Sequence, residues 1–185
     1  MNDSLKRAQS LVGYSSGRPE HDFYATPRNA TISLLQNVQF LGDIWEPACG
    51  DGAISRVLKE KGYVTYSTDL IYRNYGYGDV DFLKTNYKFN NIITNPPYKL
   101  AQQFVEHSLE CTDKKVAMLC KLQFLESETR KTLFENTPLK NVLVFSKRLT
   151  MYRNDVKMKN SGMIAFAWFI WDHEYKGEPT ISWVW

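Results

Sequence analysis

Asp43-Ile-Trp-Glu-Pro-Ala-Cys-Gly-Asp-Gly52 reads as a short strand running into a glycine turn, and Ala53 to Lys61 behind it reads as an amphipathic helix closed by Gly62. A strand, a glycine turn and a helix in that order open a βαβ unit. Tyr63-Val-Thr-Tyr-Ser-Thr-Asp69 follows as a second strand, rich in β-branched and aromatic residues and closed by an acid. Upstream, Thr26-Pro27 before Ala30, Ile32, Leu34 and Leu35 predicts a helix start, with threonine as cap and proline at the first helical position. Downstream, Phe89 to Thr94 is a strand that runs into Asn95-Pro96-Pro97-Tyr98, and Leu100 to Leu109 is the next helix. Val116 to Leu122 and Asn141 to Phe145 are further strands, with a helix over Glu126 to Phe134 between them. Met163 to Trp171 and Thr180 to Trp185, with Lys176-Gly177 between them, read as an antiparallel hairpin. The expected fold is α/β: a Rossmann-like, doubly wound sheet, mostly parallel, with a C-terminal antiparallel hairpin.

A chain of 185 residues buries enough core to fold without disulfides or metal. The first twenty residues look looser, so residues 1–20 are expected to be a flexible segment and 21–185 a single domain, with order beginning near His21. The net charge of +3 does not by itself mark a nucleic-acid binder; clustering of the positive residues must do that. Cys49, Cys111 and Cys120 are odd in number and lack the paired spacing of zinc or redox motifs, which fits ordinary thiols in a reducing cytosol and no metal site. No run has the length and character of a signal peptide or a bilayer span, so the expected location is cytoplasmic, with no membrane partner.

In an open α/β sheet ligands bind beyond the carboxyl ends of the strands, where glycines let backbone amides approach. Glu46 to Gly52 sits at such an end, and Asp69 closes the next strand, where its carboxylate can accept both hydroxyls of a ribose. The third glycine of a dinucleotide fingerprint is missing, so a nucleoside without a pyrophosphate fits better. Asp81-Phe82 places a carboxylate beside an aromatic ring, a pair suited to the amino group and face of adenine. Each feature has a plainer reading: a tight turn for Gly50-Asp51-Gly52, a cap for Asp69, the core for Phe82.

Asn95-Pro96-Pro97-Tyr98 is the most specific feature, since two prolines directly after a strand remove two donors and fix the backbone. An aryl amine is a poor nucleophile because its lone pair is delocalised into the ring. The Asn95 side-chain oxygen and the Pro96 carbonyl are two acceptors that can take its N–H groups and localise that pair, while Tyr98 stacks on the ring of a base swung out of its helix. The plainer reading is a strand-ending turn with Asn95 as cap and Tyr98 packed.

From Asp22 to about Phe145 the chain resembles the class I S-adenosylmethionine-dependent amino-methyltransferases, in particular DNA adenine-N6 methyltransferases whose cofactor motif precedes the catalytic one. The resemblance implies S-adenosylmethionine as cofactor, Glu46, Ala48, Gly50 and Gly52 in its binding motif, Asp69 on its ribose and Asp81 with Phe82 on its adenine. It implies that Thr26, in Asp22-Phe-Tyr-Ala-Thr-Pro27, touches the methionine part, that Asn95, Pro96, Pro97 and Tyr98 are the catalytic tetrad, and that a seventh strand runs opposite to the other six. In compactness the chain is similar to small enzymes carried by bacteriophages or mobile elements.

Relatives that read a defined DNA sequence usually carry a separate target-recognition domain, for which this chain leaves no room; specificity is expected from loops or a protein partner. Lys147, Arg148, Arg153, Lys157 and Lys159, around Tyr152 and Asn154, are the candidate nucleic-acid contacts, with Lys6, Arg7, Arg18 and Arg28 as a second basic surface. A solvated basic loop is the alternative. The function expected is methylation of adenine-N6 in DNA, with DNA favoured over RNA. Alternatives are an RNA base amine, cytosine-N4, a protein glutamine amide, and a non-catalytic subunit that binds cofactor or nucleic acid. His107 reads as an ordinary helix residue, and His21 and His173 have no evident catalytic partner.

Overall fold

A computed structural model of the chain describes residues 23–153, 156–157 and 164–185. The expectations for residues 1–20 and for His21, Asp22, Asn154 and Lys159 lie outside the described residues. The helices are α1 (Arg28–Asn37), α2 (Ala53–Glu60), α3 (Ala101–Cys111) and α4 (Glu128–Asn136). The strands are β1 (Ile44–Glu46), β2 (Thr65–Ser67), β3 (Phe89–Thr94), β4 (Thr112–Lys121), β5 (Leu139–Phe145), β6 (Tyr152–Arg153), β7 (Val156–Lys157), β8 (Phe166–Asp172) and β9 (Thr180–Val184).

Seven of these strands form one sheet in the order β2-β1-β3-β4-β8-β5-β9, and β6 and β7 form a separate antiparallel pair. Every pairing in the large sheet is parallel except those of β8, which runs opposite to the other six strands. The mostly parallel, Rossmann-like sheet read from the sequence is therefore the one observed.

The expected hairpin of β8 with β9 is not. β8 lies between β4 and β5, with Val116 opposite Trp171 and Val142 opposite Phe169, while β9 pairs parallel with the outer side of β5, Val142 opposite Ile181. Composition explains the difference. Every residue of β8 is buried: Phe166, Trp168 and Ile170 enter one core and Ala167, Phe169 and Trp171 the other, an arrangement that needs a neighbour on each side. β9 exposes Ile181 and Trp183 and takes an edge.

The two cores lie on opposite faces of the sheet, one containing Ala30 and Leu34 of α1 and Ile54 and Leu58 of α2, the other Phe104 and Val105 of α3 and Leu133 of α4. The buried indoles are satisfied: Trp45 donates to the Thr68 hydroxyl, Trp168 to the Ala30 carbonyl and Trp171 to the Thr137 hydroxyl. Among the described residues no helix is long and apolar enough to cross a membrane. Parallel β1, β2 and β3 all present their carboxyl ends at one margin of the sheet, and the loops there build the site.

Candidate active site

Glycine is required in the turn after β1. Gly50 and Gly52 hold φ of +55° and +86°, and a Cβ on Gly52 would lie 2.6 Å from the Tyr75 ring. The turn is tied to the end of β2 by the Cys49 N–H on the Thr68 carbonyl (2.9 Å) and by the Gly50 N–H on Asp69 Oδ2 (2.8 Å). Asp69 Oδ1 accepts from the Ile71 N–H at 2.9 Å. Each carboxylate oxygen thus takes one backbone donor and keeps acceptor capacity for a hydroxyl.

Glu46, at the end of β1, is 2% exposed, and its Oε2 accepts from the Ser55 amide (2.8 Å) and the Ser55 hydroxyl. Ser55 in turn meets the Ser67 hydroxyl at 2.6 Å. Burial pushes the Glu46 carboxyl well above the usual range; the Ser55 hydrogen bonds oppose this and nearby Asp69 and Asp51 reinforce it. Burial likewise pushes the Cys49 thiol up to about 12, so it stays protonated at neutral pH. The Asp69 carboxylate, which lines the cavity, gives this end of the site a preference for a cation.

Asp81 caps a 3-10 turn over Phe82–Lys84, accepting from the Leu83 N–H at 3.3 Å. It pairs with Lys84 at 2.8 Å, which holds its carboxyl below the ordinary value. Phe82 is buried in the core, packing edge-on to Trp45 with centroids 5.0 Å apart, and it also lines the cavity described below.

The tetrad leaves β3 as a rigid exit. The Pro97 carbonyl accepts from Leu100 N–H in a 3-10 turn over Tyr98–Leu100, which feeds α3. Asn95 Nδ2 donates to the Tyr24 carbonyl and to the Thr26 hydroxyl, each at 3.2 Å. Among the described residues its Oδ1 is buried with no hydrogen-bond partner. The Tyr98 ring lies nearly parallel to that of Tyr24, at 18° with centroids 6.1 Å apart, and Lys121 Nζ sits 4.7 Å from its centre.

Thr26, Glu46, Ala48, Asp69, Asp81, Phe82 and all four tetrad residues line one cavity of about 360 Å³. Gly50 and Gly52 shape it from behind rather than lining it. Thr26 does not cap α1: Pro27 holds that position without a side-chain cap, because the threonine hydroxyl is turned to Asn95. Lys147 and Arg148 are exposed and are not part of the lining; Lys147 Nζ lies 5.5 Å from the Trp185 ring centre. Arg153 and Lys157 fall in β6 and β7. Arg28 is ion-paired with Glu60, which removes it from a free basic surface.

Sequence reading did not reach Tyr24, Ser55, Arg73, Lys99 or Lys121. Ser55 had a signal, a polar residue inside the apolar stripe of Ile54, Val57 and Leu58. Tyr24 stands two residues before Thr26. Arg73 and Lys99 line the cavity, and Lys121 comes from the far end of β4; no local pattern marks them.

No protein-family model matches the chain, and no curated protein matches it in sequence. Solved structures match its fold. A modification subunit of a candidate type I restriction enzyme from Vibrio vulnificus YJ016 superposes with TM-score 0.61 and 14% identity, over 98% of this chain and 50% of that one. The chain thus spans half the length of that subunit. A candidate RNA methyltransferase from Pyrococcus horikoshii gives TM-score 0.63 and 13% identity, over 93% of this chain and 98% of that one. The magnesium protoporphyrin IX methyltransferase from Synechocystis PCC 6803, solved with bound SAH, gives 0.52 and 14%, over 93% and 94%. The chain has the class I methyltransferase fold.

Proposed function

We propose that this chain is an S-adenosylmethionine-dependent methyltransferase of a planar nitrogen, and that its acceptor is the exocyclic N6 amine of adenine in DNA. One observation carries the reading: Asn95 lines the cavity, and its Oδ1 is a buried acceptor without a partner among the described residues. Leaving such a group unpaired costs about 1–3 kcal/mol, a cost removed by a ligand that donates an N–H.

The rest of the cavity suits the cofactor. Asp69 has acceptor capacity for two ribose hydroxyls and favours a cation, and Asp81 and Phe82 suit an adenine ring. When bound, S-adenosylmethionine supplies a methyl carbon activated by its bond to a positively charged sulfur. Asn95 Oδ1 and the Pro96 carbonyl accept the two amine N–H bonds and hold the lone pair out of conjugation, and Tyr98 stacks on the base. Positioning and electrostatics carry the rate. Glu46, Ala48, Gly50 and Gly52 hold the cofactor's turn, and Thr26 lies at the junction of the two halves. Residues 21–185 act as a single catalytic domain, with target reading left to the stretch that carries Lys147, Arg148, Arg153, Lys157 and Lys159, or to a protein partner.

An RNA amine is the second reading, favoured by the fold match to the candidate RNA methyltransferase over nearly the whole of both chains; the restriction-enzyme subunit favours DNA. Incubation with methyl-tritiated cofactor and unmodified DNA, RNA or protein separates them. Label in DNA, recovered as N6-methyladenine on nucleoside analysis, is the expected result. Label in N4-methylcytosine, RNA or protein alone overturns the adenine-in-DNA assignment, and label in none of them overturns the enzyme reading.

A further inference from the structure

The segment over residues 23–26 meets the tetrad across a long sequence gap: Tyr24 and Thr26 contact Asn95 from 71 and 69 positions earlier. On the reading that Asn95 Oδ1 accepts an amine N–H, we infer that Thr26 is a positioning residue whose hydroxyl, together with the Tyr24 carbonyl, fixes the rotation of the Asn95 carboxamide.

A backbone carbonyl only accepts, so the atom facing the Tyr24 oxygen must be the nitrogen. The carboxamide torsion is a soft sp³–sp² rotation, and nothing intrinsic to asparagine chooses between its two orientations. Turning it over would set Oδ1 against the Tyr24 oxygen, two acceptors face to face, and would present N–H groups to a substrate that itself donates. The Tyr24 carbonyl excludes that state, and the Thr26 oxygen takes the second N–H. Thr26 is 6% exposed, so bulk water does not readily replace its hydroxyl. With both N–H groups committed, Oδ1 is the only part of the carboxamide left to accept.

The test uses Thr26→Val, which keeps the shape and loses the acceptor, and Thr26→Ser, which keeps it. Asn95→Ala and the double variant Thr26→Val/Asn95→Ala are run beside them in the full chain. Thr26→Val is expected to lower kcat on the order of 10- to 100-fold, the scale of a misplaced catalytic group. Its cofactor Kd by calorimetry should stay within about twofold, because the loss falls on positioning. Thr26→Ser should recover most of the turnover, and Thr26→Val should cost little more once Asn95 is alanine, because contacting groups in one unit are not additive.

An unchanged kcat, a fall in cofactor affinity that accounts for the whole loss, a Thr26→Ser variant as slow as Thr26→Val, or a full extra loss in the Asn95→Ala background each overturns the inference. Should Thr26→Val fail to fold, the comparison of Thr26→Ser with wild type decides: turnover near wild type upholds it and turnover lowered 10-fold or more sinks it. Failure of the underlying reading looks different, since Asn95→Ala would then keep wild-type turnover or the wild-type chain would methylate no planar nitrogen.

Discussion

The turn after β1 and the tetrad after β3 stand at the ends of neighbouring parallel strands, yet they treat their polar groups in opposite ways. In the turn, Glu46 is engaged by Ser55 and Asp69 by the backbone of Gly50 and Ile71, so the acidic side chains are held by the protein itself. In the tetrad the nitrogen of Asn95 is engaged, and among the described residues its oxygen has no partner. A pre-satisfied surface shapes a pocket and tolerates ligands of one charge, whereas an unsatisfied acceptor demands a donor. The first arrangement suits a cofactor held by shape and charge, the second a substrate whose N–H must be recognised.

Asn95→Ala cuts deepest into that contrast. It is expected to lower kcat on the order of 10²- to 10³-fold, as removal of one preorganised polar group does at other reacting centres. Cofactor Kd should hardly move; single-turnover methylation beside calorimetry measures both, and equal losses would place Asn95 in the cofactor half. Asp69→Ala reverses the pattern. Cofactor affinity should fall roughly 10- to 100-fold, about 1.4–2.7 kcal/mol, from lost charge-assisted hydrogen bonds and a loosened turn. An unchanged Kd would remove Asp69 from the pocket.

Glu46→Gln has the smallest expected effect, and it is read in stability. The native carboxyl titrates well above its ordinary value, so over the window from about pH 4.3 upward to that higher value the native state holds a proton that the unfolded chain has released. Folding takes up a proton there, and stability falls as pH rises through the window. Glutamine accepts from Ser55 and does not titrate, so the variant's profile of Tm against pH should flatten, with Tm a few °C above wild type at neutral pH, on the order of 1 kcal/mol. Parallel pH profiles for the two proteins would mean that Glu46 does not titrate in this window.

The half-sites differ in how plainly they are written. Phe89 to Thr94 and the tetrad were readable together, because an apolar run stopped by two prolines has few interpretations, and the observed strand has those bounds. The turn was readable from its glycines, whose positive φ few other residues adopt. β9 was misread because Lys176-Gly177 makes a plausible hairpin signal locally, while the choice of partner depends on β5 lying between the two strands. Thr26 was read as a cap for the same reason. A threonine before a proline suits a helix start, and only folding brings Asn95 within reach of its hydroxyl.

By itself the sequence determined the α/β rhythm, the glycine turn, the acid that ends β2 and the tetrad, because these rest on backbone propensity and side-chain period, which act over a few residues. Tertiary structure alone decided that β8 inserts between β4 and β5, that Lys121 sits over Tyr98, and that Asn95 has a committed nitrogen and, among the described residues, an unpartnered oxygen. Those outcomes depend on which groups separated by tens of residues compete for the same partner, and that competition is resolved only when the sheet is assembled.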